Sequence, residues 1–222
     1  MVTTAAARAF DYIEDGMVVG LGSGRAADAF VEALSVRVAA GLRIDAVPTS
    51  HRTQSLAEAA GLRLRSFDAV DHIDVTVDGA DEVDPELNLI KGYGGALLRE
   101  KIVAASSRCV VIVVDASKLV PRLGTRGRLP VEVVPFGWRQ SQRRLATLDC
   151  PALPRETAGG YFVTDNGNYI LDCGISPIVD PAALDHRIRG IPGVVATGLF
   201  LCMVDVVLVQ AGAVVEVRVS SR

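Results

Sequence analysis

Apolar and polar positions along the first half of the chain switch repeatedly between a helical period and a strand period. Residues 3–14 read as a helix, followed by a strand at Met17–Leu21 (MVVGL) and three closely spaced glycines, Gly20, Gly22 and Gly24. Ala26, Phe30, Ala33 and Leu34 recur at helical spacing, so 26–40 is an amphipathic helix with Gly41 as its C-cap. Next come a strand at Leu42–Val47, a helix at Thr53–Ala60 stopped by Gly61, and a short strand near Leu62–Arg65. Ile73–Val77 alternates as a strand, 95–106 is helical, and Cys109–Val114 (CVVIVV) is a continuous apolar run suited to a strand buried on both faces. Strands alternating with helices predict βαβ units and a parallel sheet.

The pattern changes after about residue 128. Leu129–Pro135 reads as a strand, 137–147 as a helix, and Tyr161–Thr164 with Tyr169–Asp172 as a hairpin closed by Asp165-Asn166-Gly167-Asn168, where Asn-Gly is a strong turn signal. Residues 181–189 read as a helix. This β-α-β-β-α order predicts a small α+β module. The tail, 201–219, holds two apolar runs around Gln210-Ala211-Gly212 and is expected to rejoin the larger sheet. With no repeat and no linker, the expected organisation is a larger α/β domain from 1–128 plus 203–222, with 129–202 as an insertion.

Composition narrows the function classes. Half of the 222 residues are apolar and 22% are charged, which is globular rather than disordered. Lys plus Arg (23) against Asp plus Glu (26) gives a net charge of −3, without the basic excess of a nucleic-acid binder. No run of about 18 apolar, uncharged residues offers a membrane span. Arg8, Asp11, Glu14 and Asp15 interrupt any signal-peptide core, so a cytoplasmic protein is expected. Cys109, Cys150, Cys173 and Cys202 form no C-x-x-C pair and read as free thiols; His51, His72 and His186 show no ligand spacing and read as structural or surface residues.

Four segments carry candidate chemistry, each just past a strand. Gly20-Leu21-Gly22-Ser23-Gly24-Arg25 precedes a helix, whose free N–H groups attract anions. It fits neither the dinucleotide fingerprint, since positions 25 and 27 are Arg and Ala, nor a P-loop, since no Gly-Lys-Ser/Thr follows. A phosphate site, with a hydroxyl from Ser23 and a bidentate contact from Arg25, stands equal to a plain glycine-rich turn. Asp78-Gly79-Ala80-Asp81-Glu82-Val83-Asp84 follows Ile73–Val77 and reads as acid–base machinery or as a solvated acidic turn, with EF-hand spacing absent. In Lys91-Gly92-Tyr93-Gly94-Gly95-Ala96-Leu97-Leu98-Arg99-Glu100-Lys101, a lysine by a glycine-rich turn can stabilise an oxyanion. Glu100 on the following helix can act as a general base, although alone it also reads as a salt-bridged surface residue. Asp115-Ala116-Ser117-Lys118 ends another strand and offers Lys118 to a phosphate or hydroxyl, or simply to solvent. Together the four suit a small phosphorylated sugar or polyol and proton transfer without a cofactor.

These residues resemble the type A ribose-5-phosphate isomerases. The resemblance runs through Gly20-Leu21-Gly22-Ser23-Gly24, Pro48-Thr49-Ser50, the D-G-A-D-E and K-G-x-G-G-A-L-L-R-E-K segments, Asp115-x-Ser117-Lys118, Leu129-Pro130-Val131-Glu132-Val133 and Thr164-Asp165-Asn166-Gly167-Asn168. It implies a Rossmann-like α/β parallel-sheet domain with an inserted small α+β, ferredoxin-like domain, the latter assigned to oligomerisation as a homodimer or homotetramer. It also implies interconversion of ribose 5-phosphate and ribulose 5-phosphate through an enediolate, with no metal or cofactor. By match to the family's motif, Glu100 is the proton shuttle, Lys91 stabilises the enediolate oxygen, and Asp78 and Asp81 bind sugar hydroxyls and assist ring opening. Ser23, Gly24, Arg25, Ala26 and Lys118 are assigned to substrate, chiefly its phosphate end, and Gly79, Ala80, Gly92, Tyr93 and Gly94 line the substrate.

Two positions depart from the family pattern. A loop that commonly reads Thr-Gly-Ser-Thr is here Ser23-Gly24-Arg25-Ala26, which loses two hydroxyls and gains a guanidinium. Tyr93 stands where the family often has Gly. Rival readings are a sugar-phosphate-sensing domain, for which some 16 residues before the first strand leave no room for a helix-turn-helix, and a sugar-phosphate deaminase or lactonase, which would not be expected to match the Lys91–Glu100 segment.

Overall fold

The structure is a computed structural model and describes residues 4–220. The first residue of the helix expected at 3–14 lies outside them. In chain order the helices are α1 (Ala5–Arg8), α2 (Arg25–Ala39), α3 (His51–Ala59), α4 (Leu97–Ala105), α5 (Trp138–Ala146) and α6 (Pro181–Arg189). The strands are β1 (Val18–Leu21), β2 (Asp45–Pro48), β3 (Ile73–Asp78), β4 (Glu82–Val83), β5 (Leu89–Ile90), β6 (Ser107–Asp115), β7 (Arg128–Val133) and β8 (Ala152–Pro154). They continue with β9 (Glu156–Thr157), β10 (Gly160–Tyr161), β11 (Tyr169–Gly174), β12 (Val194–Thr197), β13 (Leu199–Phe200), β14 (Val206–Ala211) and β15 (Val214–Val219).

The chain forms two compact units: residues up to Ala80 with Arg99–Lys118 and everything from Met203 on, and Asp81–Leu98 with Leu119–Cys202. The first unit holds a six-stranded sheet in the order β15-β14-β6-β3-β1-β2. Five strands run parallel to one another, and β15 alone is antiparallel, hairpinned onto β14. The tail therefore rejoins this sheet. Both faces are covered. Phe30, Val31 and Leu34 of α2 pack on Val75, Val77, Val111 and Leu208, while Val103 of α4 packs with Val47 and Ile73. This double burial explains why Val110–Val114 is apolar without alternation. A buried side chain the size of Phe30 or Leu34 contributes roughly 1.5–3 kcal/mol.

The second unit is built on the antiparallel sheet β12-β7-β11-β8. With α5 between β7 and β8 and α6 between β11 and β12, this is the βαββαβ ferredoxin-like arrangement. Leu129, Val131 and Val133 face Leu145 of α5 and Ile188 of α6. By strand alternation, Pro130 and Glu132 turn to the opposite face, where Ile170 and Ala196 pack against Leu97. This unit takes in Asp81–Leu98 and residues 119–128 besides the stretch that the pattern set apart at 129–202; β5 pairs with β13, and β4 pairs with β5.

Several elements differ from their expected form. The first helix shortens to Ala5–Arg8 and continues as a 3₁₀ turn over Ala9–Tyr12. The helix expected from Thr53 begins at His51, because the Ser50 hydroxyl caps it by accepting the Thr53 N–H. Leu62–Arg65 is no strand. Only Leu64 bridges to Ala46. The Asn166-Gly167 turn forms, with Gly167 at φ +77° and its N–H on the Thr164 carbonyl, but the ladder beyond it is the single bridge Val163–Tyr169. Arg155 intervenes there: its N–H donates to the Ile170 carbonyl and its own carbonyl accepts the Phe162 N–H.

Candidate functional site

The site residues of the first unit gather at the carboxyl ends of neighbouring parallel strands, where open α/β sheets present ligands. The glycines after β1 do two jobs there. Gly20 and Gly22 make room: a Cβ on Gly20 would lie 2.0 Å from Thr76 Oγ1 and 2.8 Å from Val103 Cγ1, and one on Gly22 would lie 2.1 Å from Asp78 Oδ1. Gly24 instead makes the turn: its φ of +101° leads the chain into α2. No side chain caps α2, so its first N–H groups remain available to a ligand.

Packing allowed by these glycines sets the carboxylates. Thr76 and Asp78 share the face of β3 that α4 covers, and Glu100 lies on the first turn of α4, three residues before Val103. Asp78 is 3% and Glu100 5% exposed, so both carboxyl groups are withdrawn from bulk water. Asp78 Oδ1 accepts the N–H of Gly79 at 2.7 Å and that of Ser23 at 3.2 Å, which ties the acidic segment to the Ser23–Ala26 loop.

A hydroxyl cluster, not singled out as such in the sequence, supports that loop. Ser23 Oγ lies 2.8–3.0 Å from the hydroxyls of Thr49, Ser50 and Thr53. Thr49 and Thr53 donate onward to the carbonyls of Leu21 and Gly22. Arg25 is exposed at the start of α2. Lys118 ends the 3₁₀ turn after β6, where the N–H and hydroxyl of Ser117 bind Asp115 and hold its carboxyl below the usual range.

In the second unit Lys91 is 4% exposed, its N–H on the Gly198 carbonyl at 2.9 Å and its Nζ 5.6 Å from the Phe200 ring centre. Asp81 grips the lysine loop twice: its N–H donates to Ile90 O, and Oδ2 accepts the Tyr93 N–H at 3.0 Å. Gly92 sits at φ +102°, and Gly94 is exposed at the loop tip. The remaining acids are structural rather than a solvated turn. Glu82, fully buried, accepts the N–H groups of Gly124 and Arg126. Asp84 closes a turn by accepting two bonds from Asn88, and burial pushes its carboxyl up. Among the described residues no group of three or more His, Cys, Asp or Glu could hold a metal ion, no disulfide joins the four cysteines, and no helix is long and apolar enough to cross a membrane.

The family model described as "Ribose 5-phosphate isomerase A (phosphoriboisomerase A)" matches residues 45–213. The chain belongs to the ribose-5-phosphate isomerase A family. It is 52% identical over 219 residues to the ribose-5-phosphate isomerase A of Gloeobacter violaceus, covering 98% of this chain and 95% of that one. That of Thermomicrobium roseum is 51% identical, covering 98% and 93%. The solved ribose 5-phosphate isomerase A from Methanocaldococcus jannaschii superposes with a TM-score of 0.93 at 38% identity, over 98% of this chain and 97% of that one. The chain is thus an aldose–ketose isomerase of ribose 5-phosphate, a reaction of the pentose phosphate pathway.

Within this ribose-5-phosphate isomerase A framework Tyr93 has a definite place. Its hydroxyl donates to the Arg128 carbonyl at 3.2 Å, and the Arg128 guanidinium lies 4.6 Å over its ring. Burial first, then the negative charges of Glu82 and Asp81, push the phenol up to about 12. An unfolded tyrosine ionises near pH 10. The folded state keeps the proton longer, so the stabilisation is complete below about pH 10 and is lost as pH rises to about 12. Urea unfolding at roughly pH 9 to 12 is therefore expected to show wild type losing stability relative to Tyr93→Phe across that window. A difference that stays constant with pH would refute this placement of the phenol.

Proposed function

We propose that the isomerisation runs by proton transfer through an enediolate, with Glu100 as the base. Its carboxylate takes the C2 proton of open-chain ribose 5-phosphate, and the C2–H electrons become the C1–C2 double bond while the carbonyl electrons move to O1. Returning the proton to C1, as the O2 hydroxyl proton passes to O1, leaves the C2 carbonyl of ribulose 5-phosphate. One carboxylate serves both carbons because an enediolate is planar. The Lys91 ammonium stabilises the enediolate oxygen. Asp78 and Asp81 bind sugar hydroxyls and assist ring opening, and Gly79, Ala80, Gly92, Tyr93 and Gly94 line the substrate.

The observation that carries this reading is the near-complete burial of the two reacting groups, Glu100 at 5% and Lys91 at 4% exposed. Charges held out of bulk water act on a reacting centre with little screening. The test is incubation of EDTA-treated enzyme with ribose 5-phosphate in D₂O, followed by NMR. Ribulose 5-phosphate carrying solvent deuterium at C1 is expected. Binding without turnover would overturn the reading.

The phosphate end is assigned to the Ser23–Ala26 loop, the uncapped start of α2 and Lys118. Arg25, at the first position of that helix, supplies the charge that the family's lost hydroxyls do not. Arg25→Ala is expected to raise KM for ribose 5-phosphate about tenfold or more while kcat changes little, consistent with a lost charged contact of about 1.5–3 kcal/mol. An unchanged KM would remove Arg25 from the site. The protein is further proposed to be cytoplasmic and a homodimer or homotetramer joined through residues 129–202, which light scattering on the purified protein tests directly.

A further inference from the structure

The lysine loop carries three glycines in four positions, Gly92, Gly94 and Gly95, and such a segment loses much backbone entropy when it is fixed. Yet it is fixed at nearly every peptide. The Lys91 N–H is on Gly198 O, the Tyr93 N–H on Asp81, and the Gly95 N–H on Gly92 O at 3.0 Å. The two carbonyls that follow Lys91 are held by one side chain from elsewhere in the sequence. Arg155 Nη1 donates to Gly92 O at 3.0 Å and to Tyr93 O at 3.1 Å.

That guanidinium is itself fixed. Arg155 Nε and Nη2 make a two-pronged pair with Asp172, at 2.9 and 2.6 Å. The Arg155 side chain is only 11% exposed and lies 5.7 Å from the Phe162 ring centre. Phe162 in turn fills the space at Gly95, where a Cβ would fall 2.4 Å from its Cζ. Asp172 also accepts from Arg128 at 3.0 Å, the arginine that covers the Tyr93 ring. One carboxylate on β11 therefore anchors both arginines that hold Tyr93, one at its carbonyl and one at its ring.

We propose that Arg155, oriented by Asp172, is a positioning residue for Lys91: it sets the backbone from which the ammonium reaches the enediolate oxygen. The inference rests on the reading of Lys91 given above. A lysine side chain delivers its charge only as accurately as its backbone is placed, and misplacement by about 1 Å can cost roughly 10²-fold in rate. Arginine suits the task because its planar fork grips a carboxylate with one edge and still presents donors at the other.

The test is a double-mutant cycle on the full chain, comparing wild type, Arg155→Gln, Lys91→Met and the double variant, with kcat and KM for ribose 5-phosphate and Tm measured for each. Arg155→Gln is expected to lower kcat by about 10- to 100-fold with KM within about threefold of wild type. In the Lys91→Met background the same change is expected to cost less than about threefold, since it acts through a group already gone. Arg155→Lys, which keeps the charge but not the fork, provides a milder variant if glutamine impairs folding, and it is expected to recover only part of kcat. Equal losses in both backgrounds, or a lower Tm with unchanged kcat, would overturn the positioning role. Near-normal activity of Lys91→Met alone would instead overturn the reading of Lys91, and the inference with it.

Discussion

Glu100→Gln is expected to lower kcat by about 10³-fold or more, near the upper range for loss of a general base, with KM for ribose 5-phosphate nearly unchanged. The amide keeps the volume of the buried side chain on α4 but cannot accept the C2 proton. Val103, one turn on, still packs beside Gly20, so the helix is expected to stay in place and Tm to stay close to wild type. The informative comparison is deuterium exchange at C2 of bound ribose 5-phosphate. Wild type should exchange and the variant should not. A variant that retains more than about a tenth of wild-type kcat would remove Glu100 from the proton path.

Lys91→Met is expected to lower kcat by about 10²- to 10³-fold, the range for losing a donor that stabilises a developing oxyanion. Methionine retains an unbranched apolar stem beside Phe200, and the backbone bond from residue 91 to Gly198 O does not involve the side chain. Fold and substrate binding should therefore survive while the chemical step slows. A proportionate rise in KM with kcat intact would instead make Lys91 a ground-state binding residue.

Much of this was legible in the chain. The helical stripe through Phe30 and Leu34 and the unbroken apolar run Cys109–Val114 announced a parallel sheet, and both lie in one covered on both faces, with Cys109 only partly buried. The segments resembling an isomerase identified the family that the comparisons show. Other features were hidden because they depend on what a residue meets across the fold. Glu82 and Asp84 look like members of one acidic cluster with Asp78 and Asp81, yet Glu82 anchors the turn from Gly124 to Arg126 and Asp84 closes its own turn. Glu132 lies on a strand between valines, and its partners Thr164, Asn166 and Asn168 come from a turn more than thirty residues away. The expected hairpin around Asn166-Gly167 lost most of its ladder for a similar reason: Arg155 takes up the Phe162 N–H and the Ile170 carbonyl.

The sequence by itself determined what depends on neighbours in the chain: the helix and strand periods, the glycine-bearing turns and the family. Only the tertiary structure decided which glycines make room and which make turns, which carboxylates are structural, and that Arg155 and Asp172 brace the lysine loop. The physical reason is the range of the forces. Periodicity and turn preferences act over a few residues, whereas burial and hydrogen-bond partnership are set by groups brought together only when the sheets form.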